Sequence, residues 1–250
     1  MVDAVDSKST SSNRVLVQVQ SSAMWIDDFD LFLFDFDGLL VSSEELHFHA
    51  YREMCARRGF ALSWDLHQFF EAAHANATGI RERLQALFPP LRDTEWGLLY
   101  QEKKQIYEKM LERGGLTLLP GVETLLLELA RLSKKRCVVT NSARVQIEAI
   151  RGQLPALQTI PRWFTREDYA RPKPAPDGYL LALQELKEEG DRVIGFEDSA
   201  RGYEALKSAG VENRVLVCSF DHPQLERMEG ALHVPSMDAL SYDTFIRNRA

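Results

Sequence analysis

From residue 121 onward, short apolar runs alternate with stretches patterned for one apolar helical face, and this alternation restricts the fold of the 250-residue chain more than any other feature. Val122, Leu125, Leu126 and Leu129 fall on one side of a helix over 121–133, and Arg136 to Thr140 then reads as a strand. The succession continues with a helix over 143–153, a short strand between Ile160 and Thr165, and a helix over 176–189. A strand from Arg192 to Phe196 follows, then a helix over 200–209 closed by Gly210, a strand from Val215 to Cys218, and a last helix over 237–247. Upstream, Leu31-Phe32-Leu33-Phe34 has the length and apolar content of a buried strand. Strands alternating with helices build a parallel sheet covered on both faces, so the expected class is α/β, a Rossmann-like doubly wound sheet.

Between the first strand and the rest lies a different pattern. Residues 43–115 read as helical, with Leu46, Ala50, Met54 and Arg57 at helical spacing and Arg57-Arg58-Gly59 as a helix end. Further helices are expected near 65–73, 79–88 and 93–112. The parsing is an inserted all-helical domain over 43–115, an α/β core over 23–42 and 116–250, and a flexible N-terminal extension over 1–22. A net charge of −7 argues against nucleic acid or an anionic membrane as partner, and no stretch has the roughly 20 apolar residues of a membrane span. Cys55, Cys137 and Cys218 show no paired spacing, which favours buried thiols and a cytoplasmic setting over a disulfide scaffold.

The chemistry gathers at strand ends. Asp35 and Asp37 follow the first strand, while Asp28 and Asp30, with the same spacing, precede it and carry no such implication. Thr140-Asn141 follows a second strand, Lys173 lies in a loop between Pro172 and Pro174, and Glu197-Asp198 follows a third strand. Carboxyl ends of parallel strands lie side by side, so these groups converge. So many acids together raise one another's pKa values unless a cation intervenes, and oxygen ligands favour a hard ion such as Mg2+. Taken alone, Thr140-Asn141-Ser142 reads equally well as a helix N-cap run, and a lysine in a proline-rich loop as a solvated one.

The order Asp-x-Asp-Gly, Thr-Asn-Ser, Lys-Pro-Ala-Pro-Asp and Gly-Phe-Glu-Asp-Ser-x-x-Gly resembles the haloacid dehalogenase superfamily over residues 30–240. Within it, the order resembles the branch with β-phosphoglucomutase and phosphoglycolate phosphatase. The helical insert then stands where that branch has its cap domain. The resemblance implies Asp35 as nucleophile and metal ligand and Asp37 as general acid and base whose backbone also meets the metal. It implies Thr140, Asn141 and Lys173 as phosphate-binding groups, Asp198 as a metal ligand, and Glu197 behind it in a supporting position. Asp177 reads as a helix-start residue rather than a catalyst. In the insert, His47 matches a substrate-gating position or is a helix-surface histidine, Glu44 and Phe48 agree with the branch, and Arg81 is a candidate substrate contact. Ser42 departs from the pattern, which has Asp there. The implied function is a magnesium-dependent phosphatase of a small phosphorylated metabolite, acting through an aspartyl-phosphate. A sugar phosphomutase and a catalytically silent partner-binding protein are the alternatives, and the oligomeric state is left open.

Overall fold

A computed structural model describes residues 24–75, 78–219 and 231–246, with Leu225 and Met228; the expected extension over 1–22 lies outside these residues. Among the described residues the strands are β1 (Leu31–Phe34), β2 (Lys135–Val139), β3 (Arg162–Phe164), β4 (Val193–Glu197), β5 (Asn213–Val217) and β6 (Leu232–Val234). They form one parallel sheet in the order β3-β2-β1-β4-β5-β6. The helices are α1 (Ser43–Ala56), α2 (Leu66–Ala75), α3 (Gly79–Leu87), α4 (Trp96–Glu112), α5 (Val122–Arg131), α6 (Arg144–Arg151), α7 (Asp177–Leu186), α8 (Ala200–Ser208) and α9 (Tyr242–Ile246).

The unbroken apolar run of β1 is explained by burial on both sides. Leu31 and Leu33 face Cys137, Val139, Tyr179, Ala205 and Leu206. Phe32 and Phe34 face the opposite layer, with Val122, Leu126, Ile147 and Ile150. Each such side chain contributes about 1.5–3 kcal/mol when fully buried. Phe34 also stacks on Phe196 of β4, with ring centroids 5.1 Å apart. The strand order reverses between β1 and β4, and ligands of open α/β sheets bind beyond the strand ends at that reversal.

Helices α1 to α4 occupy the segment between β1 and β2, and no strand occurs among its described residues over 43–115. Helix α1 ends where its sequence suggests, with Gly59 at φ +79° and the Phe60 N–H returning to Cys55 O. The two chain crossings into and out of the segment are paired. Ser42 N donates to Thr117 O (3.0 Å), Leu119 N donates to Leu40 O (3.1 Å), and Val41 bridges Leu118 in antiparallel fashion. The Ser42 hydroxyl, standing where the branch pattern has a carboxylate, lies 3.1 Å from Thr117 Oγ1 and so ties one crossing to the other.

Several boundaries differ from the sequence expectations. Helix α4 starts at Trp96 rather than 93, because Pro89–Asp93 forms a separate 3-10 turn. The expected helix over 237–247 is split into a 3-10 turn (Met237–Ala239) and α9, since the Ser241 N–H is taken by Thr244 Oγ1 (3.1 Å) and starts a new turn. Strand β6 was not foreseen: three residues with a central histidine carry no periodic signal. Trp25 precedes the sheet and stacks on Phe245 of α9, joining the two ends of the described chain.

Candidate active site

Asp35 continues β1 by one residue, its N–H donating to Phe196 O (3.0 Å), and its side chain emerges at the sheet's reversal. Three residues later the chain turns at Gly38 with φ +76°. A Cβ there would overlap Asp198 Oδ2 and come within 2.9 Å of the Glu44 carboxyl carbon, so glycine is required on both conformational and steric grounds. The turn brings Asp37 alongside Asp35.

Lys173 reaches the same point from the other side. Its ammonium contacts Asp35 Oδ1 (2.5 Å), Glu197 Oε1 (2.6 Å) and Val139 O (2.7 Å), and the side chain is buried. The two carboxylates hold its pKa above the usual lysine range, although burial alone would lower it. Its loop is fixed by Asn141, whose Oδ1 accepts the Lys173 N–H (3.1 Å). Arg171, near in sequence, is turned away: its guanidinium pairs with Asp177 (2.7 Å) in the first turn of α7. The loop thus presents Lys173 and not its neighbour.

The Thr140-Asn141-Ser142 run does not cap the following helix. The residue before α6 is Ala143, which has no capping group, and the Arg144 N–H in the first turn is taken by Glu167 Oε2 (3.1 Å) instead. Ser142 Oγ donates to Asp37 Oδ2 (2.5 Å), Ser43 Oγ donates to Asp37 Oδ1 (2.6 Å), and Thr140 Oγ1 accepts the Ser142 N–H (3.0 Å). Burial pushes the Asp37 carboxyl up, against the pull of these two hydroxyls, and the nearby Asp35 charge raises it further.

Asp35, Glu197 and Asp198 can bring one carboxylate oxygen each within 4.8 Å of the others, and all three are buried. Asp198 has no hydrogen-bond or ion-pair partner among the described residues. Burial, followed by the charges of Glu44, Asp35 and Glu197, pushes its carboxyl well above the ordinary aspartate range. Glu197 is raised by burial and by Asp35, with Lys173 and Tyr179 opposing. One ammonium against this many carboxylates leaves excess negative charge, which a divalent hard cation would neutralise. The residues therefore fit such an ion. Glu197 is the least available of the three, since Lys173 and Tyr179 occupy Oε1 and Oε2 lies against Gly202. Asp35 and Asp198 are the two carboxylates better placed to meet such an ion.

A cleft of about 450 Å³ opens above these groups, between the strand ends and the helical segment. Tyr100, Lys103, Lys104 and Tyr107 recur at helical spacing on α4; the first three line the cleft, whereas Tyr107 is buried and stacked on His47, itself a lining residue. Lys103, almost fully buried, lies 2.5 Å from His47 Nδ1 and within 4.9–5.8 Å of the Tyr51, Tyr107 and Tyr100 ring centres. Burial brings its pKa down to about 7, while Asp37 draws it up. The same burial and the lysine charge push His47 well below its usual range. His47 is thus held on two sides rather than loose on a helix surface, its ring centre 4.1 Å from that of Tyr107. Arg81 is not among the residues lining the cleft; its neighbour Ile80 is.

Sequence reasoning missed Lys103, Ser142 and Tyr179 as members of this constellation. The Tyr-Lys-Lys-Tyr spacing on α4 was a usable signal for the first. The other two are placed only by three-dimensional contact. The three cysteines are free and buried, in line with their spacing.

The sequence pattern of the haloacid dehalogenase-like hydrolases matches residues 29–210. Protein CbbY of Cereibacter sphaeroides is 30% identical over 206 residues, covering 80% of this chain and 88% of that protein. The phosphorylated carbohydrates phosphatase of Thermotoga maritima is 29% identical over 184 residues, covering 72% and 81%. The crystal structure of CbbY from Rhodobacter sphaeroides in complex with phosphate superposes with a TM-score of 0.67 at 26% identity, over 85% of this chain and 96% of that one. With its acids, lysine and threonine gathered at the sheet reversal and its sequence matched over most of its length, this chain belongs to the haloacid dehalogenase-like hydrolases.

Proposed function

We propose that the chain is a magnesium-dependent phosphatase of small phosphorylated metabolites, with the phosphoryl group carried transiently on Asp35. The observation that carries this reading is the buried Asp35–Lys173 pair at the mouth of the sheet reversal, a carboxylate set directly against a fixed ammonium. The names of its relatives, CbbY and a phosphorylated carbohydrates phosphatase, favour sugar phosphates as the class.

In this reading Asp35 attacks phosphorus, and the phosphate–oxygen bond to the leaving alcohol breaks. Asp37, held by Ser43 and Ser142 in the same cleft, supplies the proton that the departing oxygen takes up. The ionised Asp37 then accepts a proton from the water that attacks the aspartyl-phosphate, releasing inorganic phosphate and restoring Asp35. Lys173 compensates the charge spread over the transferring group, as Thr140 does through its hydroxyl. Asp35 and Asp198 would hold the metal, which when bound supplies electrostatic compensation for the phosphoryl oxygens. The helical segment over 43–115 acts as a cap that excludes bulk water and selects the substrate. A cleft of about 450 Å³ suits a metabolite and not a phosphoprotein.

The test is phosphate release from a panel of phosphorylated sugars and small acids with magnesium, beside Asp35→Asn. The native chain is expected to release phosphate from at least one compound, and the variant to be slower by at least ~10³-fold. Equal rates in the two proteins would refute the assignment of Asp35.

A further inference from the structure

An ammonium has three protons to give, and in Lys173 each has an acceptor: Asp35 Oδ1, Val139 O and Glu197 Oε1. Two of those acceptors are carboxylates competing for one charge. Glu197 is fully buried, so its claim on the lysine is unscreened by solvent. A second donor moderates that claim. The hydroxyl of Tyr179, a fully buried residue of α7, donates to the same Glu197 Oε1, while Glu197 Oε2 has no hydrogen-bond partner among the described residues. The Tyr179 ring also faces the ammonium, its centre 4.9 Å from Nζ. The close approach of α7 that permits this depends on Gly178, where a Cβ would lie 2.7 Å from Val139 Cγ1 and 2.9 Å from the Tyr169 ring.

We propose that Tyr179 is a positioning residue, acting through Glu197 on Lys173. Its hydroxyl takes up part of the Glu197 charge, so the ammonium is drawn less toward Glu197 and stays directed at Asp35. Without that hydroxyl, Glu197 would have Lys173 as its remaining donor and would hold it more tightly, since a buried acceptor deprived of one partner leans on the other. Charge compensation at phosphorus, and not substrate capture, is what would suffer. This inference rests on the reading of Asp35 as nucleophile.

The test is a double-mutant cycle on the full chain with magnesium, using Tyr179→Phe, Glu197→Gln and the pair, with phosphate release measured over a range of substrate. Tyr179→Phe keeps the ring and its packing and removes the hydroxyl alone. It is expected to lower kcat about tenfold with KM within about twofold, and to add nothing further in the Glu197→Gln background. A buried tyrosine serving only the core would leave kcat unchanged, or would multiply the Glu197→Gln effect as an independent site does; either result overturns the proposal. If Glu197→Gln does not fold, as judged by its thermal transition, the split between kcat and KM in Tyr179→Phe decides alone. Absence of phosphate release by the native chain would overturn the phosphatase reading and this inference with it, whereas an additive cycle in an active enzyme overturns only the inference.

Discussion

Gly202 is the position at which the smallest perturbation should do the most damage. It lies in the first turn of α8, and a Cβ built there would sit closer than 3.0 Å to both carboxylate oxygens of Glu197, a distance that Cβ atoms essentially never show. Such a clash is cheap when the neighbour is a free side-chain end, but Glu197 is fully buried and held by Lys173 and Tyr179. In Gly202→Ala either Glu197 leaves both partners or α8 moves off β4. The first route breaks a buried ion pair, about 3–5 kcal/mol, and the second is an overpacking cost of about 1–3 kcal/mol. The gain in helix propensity from alanine offsets at most about 1 kcal/mol. The cheaper route sets the cost, so a net loss of about 1–2 kcal/mol follows, or a drop of roughly 2–8 °C in thermal midpoint for a chain of this size. Moving α8 would also displace Ser199 and Asp198, which lead into its first turn, so kcat should fall by up to about 10²-fold. Gly97→Ala is the matched control: it too is a first-turn helix glycine, but its nearest neighbour would be Glu95 Oε1 at 3.4 Å, so it should be neutral or slightly stabilising. Thermal unfolding and phosphate release of both variants decide the matter. A Gly202→Ala protein that melts within 2 °C (roughly) of the native chain and keeps its kcat would refute the idea that Glu197 is locked in place.

Magnesium should raise the thermal midpoint by several degrees, since an ion at about 100 times its Kd adds about 2.7 kcal/mol to stability. Asp198→Asn should lose most of that shift, and an undiminished shift would remove Asp198 from the ligand set. Lys103 gives a pH dependence whose sign is fixed: its pKa is about 7 when folded, against 10.5 as the ordinary value. Between these values the unfolded chain holds a proton that the folded chain lacks, so this lysine makes metal-free stability rise with pH, by at most about 1.4 kcal/mol per unit. In urea unfolding at pH 7, 8 and 9, the native chain should therefore gain stability relative to Lys103→Met as pH increases, and a constant difference would contradict a depressed lysine.

The fold was largely legible because its elements carry their own periodicity. Leu31–Phe34 could be read as a strand covered on both faces from the absence of polar alternation, and the α5 stripe of Val122, Leu125, Leu126 and Leu129 needed no tertiary information. β6 was not legible, for three residues at a sheet edge are held by their neighbour and not by pattern. The site divides in the same way. Asp35, Asp37 and Asp198 stood out because each follows a strand and the strand ends of one sheet meet, whereas Lys173 stood out through the resemblance of its Lys-Pro-Ala-Pro-Asp loop to the family. Ser142 looked like a helix cap because the local signal of a hydroxyl before a helix is the same whether it caps or turns inward to Asp37. Tyr179 carries no signal of its own, since its ring belongs to the core and only its hydroxyl reaches the site. The contact between Lys103 and His47 spans 56 positions, from one end of the helical segment to the other, and no spacing rule within either helix announces it.

The acid cluster is also poor design for stability alone, which bears on what it is for. Replacing a buried ion pair by apolar side chains often stabilises a protein by 1–4 kcal/mol (about), and β1 and β4 supply an apolar setting in which such a replacement would pack. Instead, Asp35, Glu197 and Asp198 are placed at the sheet reversal with Lys173 as the one ammonium bonded to them among the described residues. The resulting rise in the Asp198 and Glu197 pKa values measures how strongly the fold resists holding all three ionised at once. A bound cation would remove that resistance and a phosphoryl group would give the lysine a further partner, so on the proposed function the arrangement would be least strained when loaded. On the proposed function, this electrostatic cost would be turned into affinity for the ion and for the charge distribution of phosphoryl transfer.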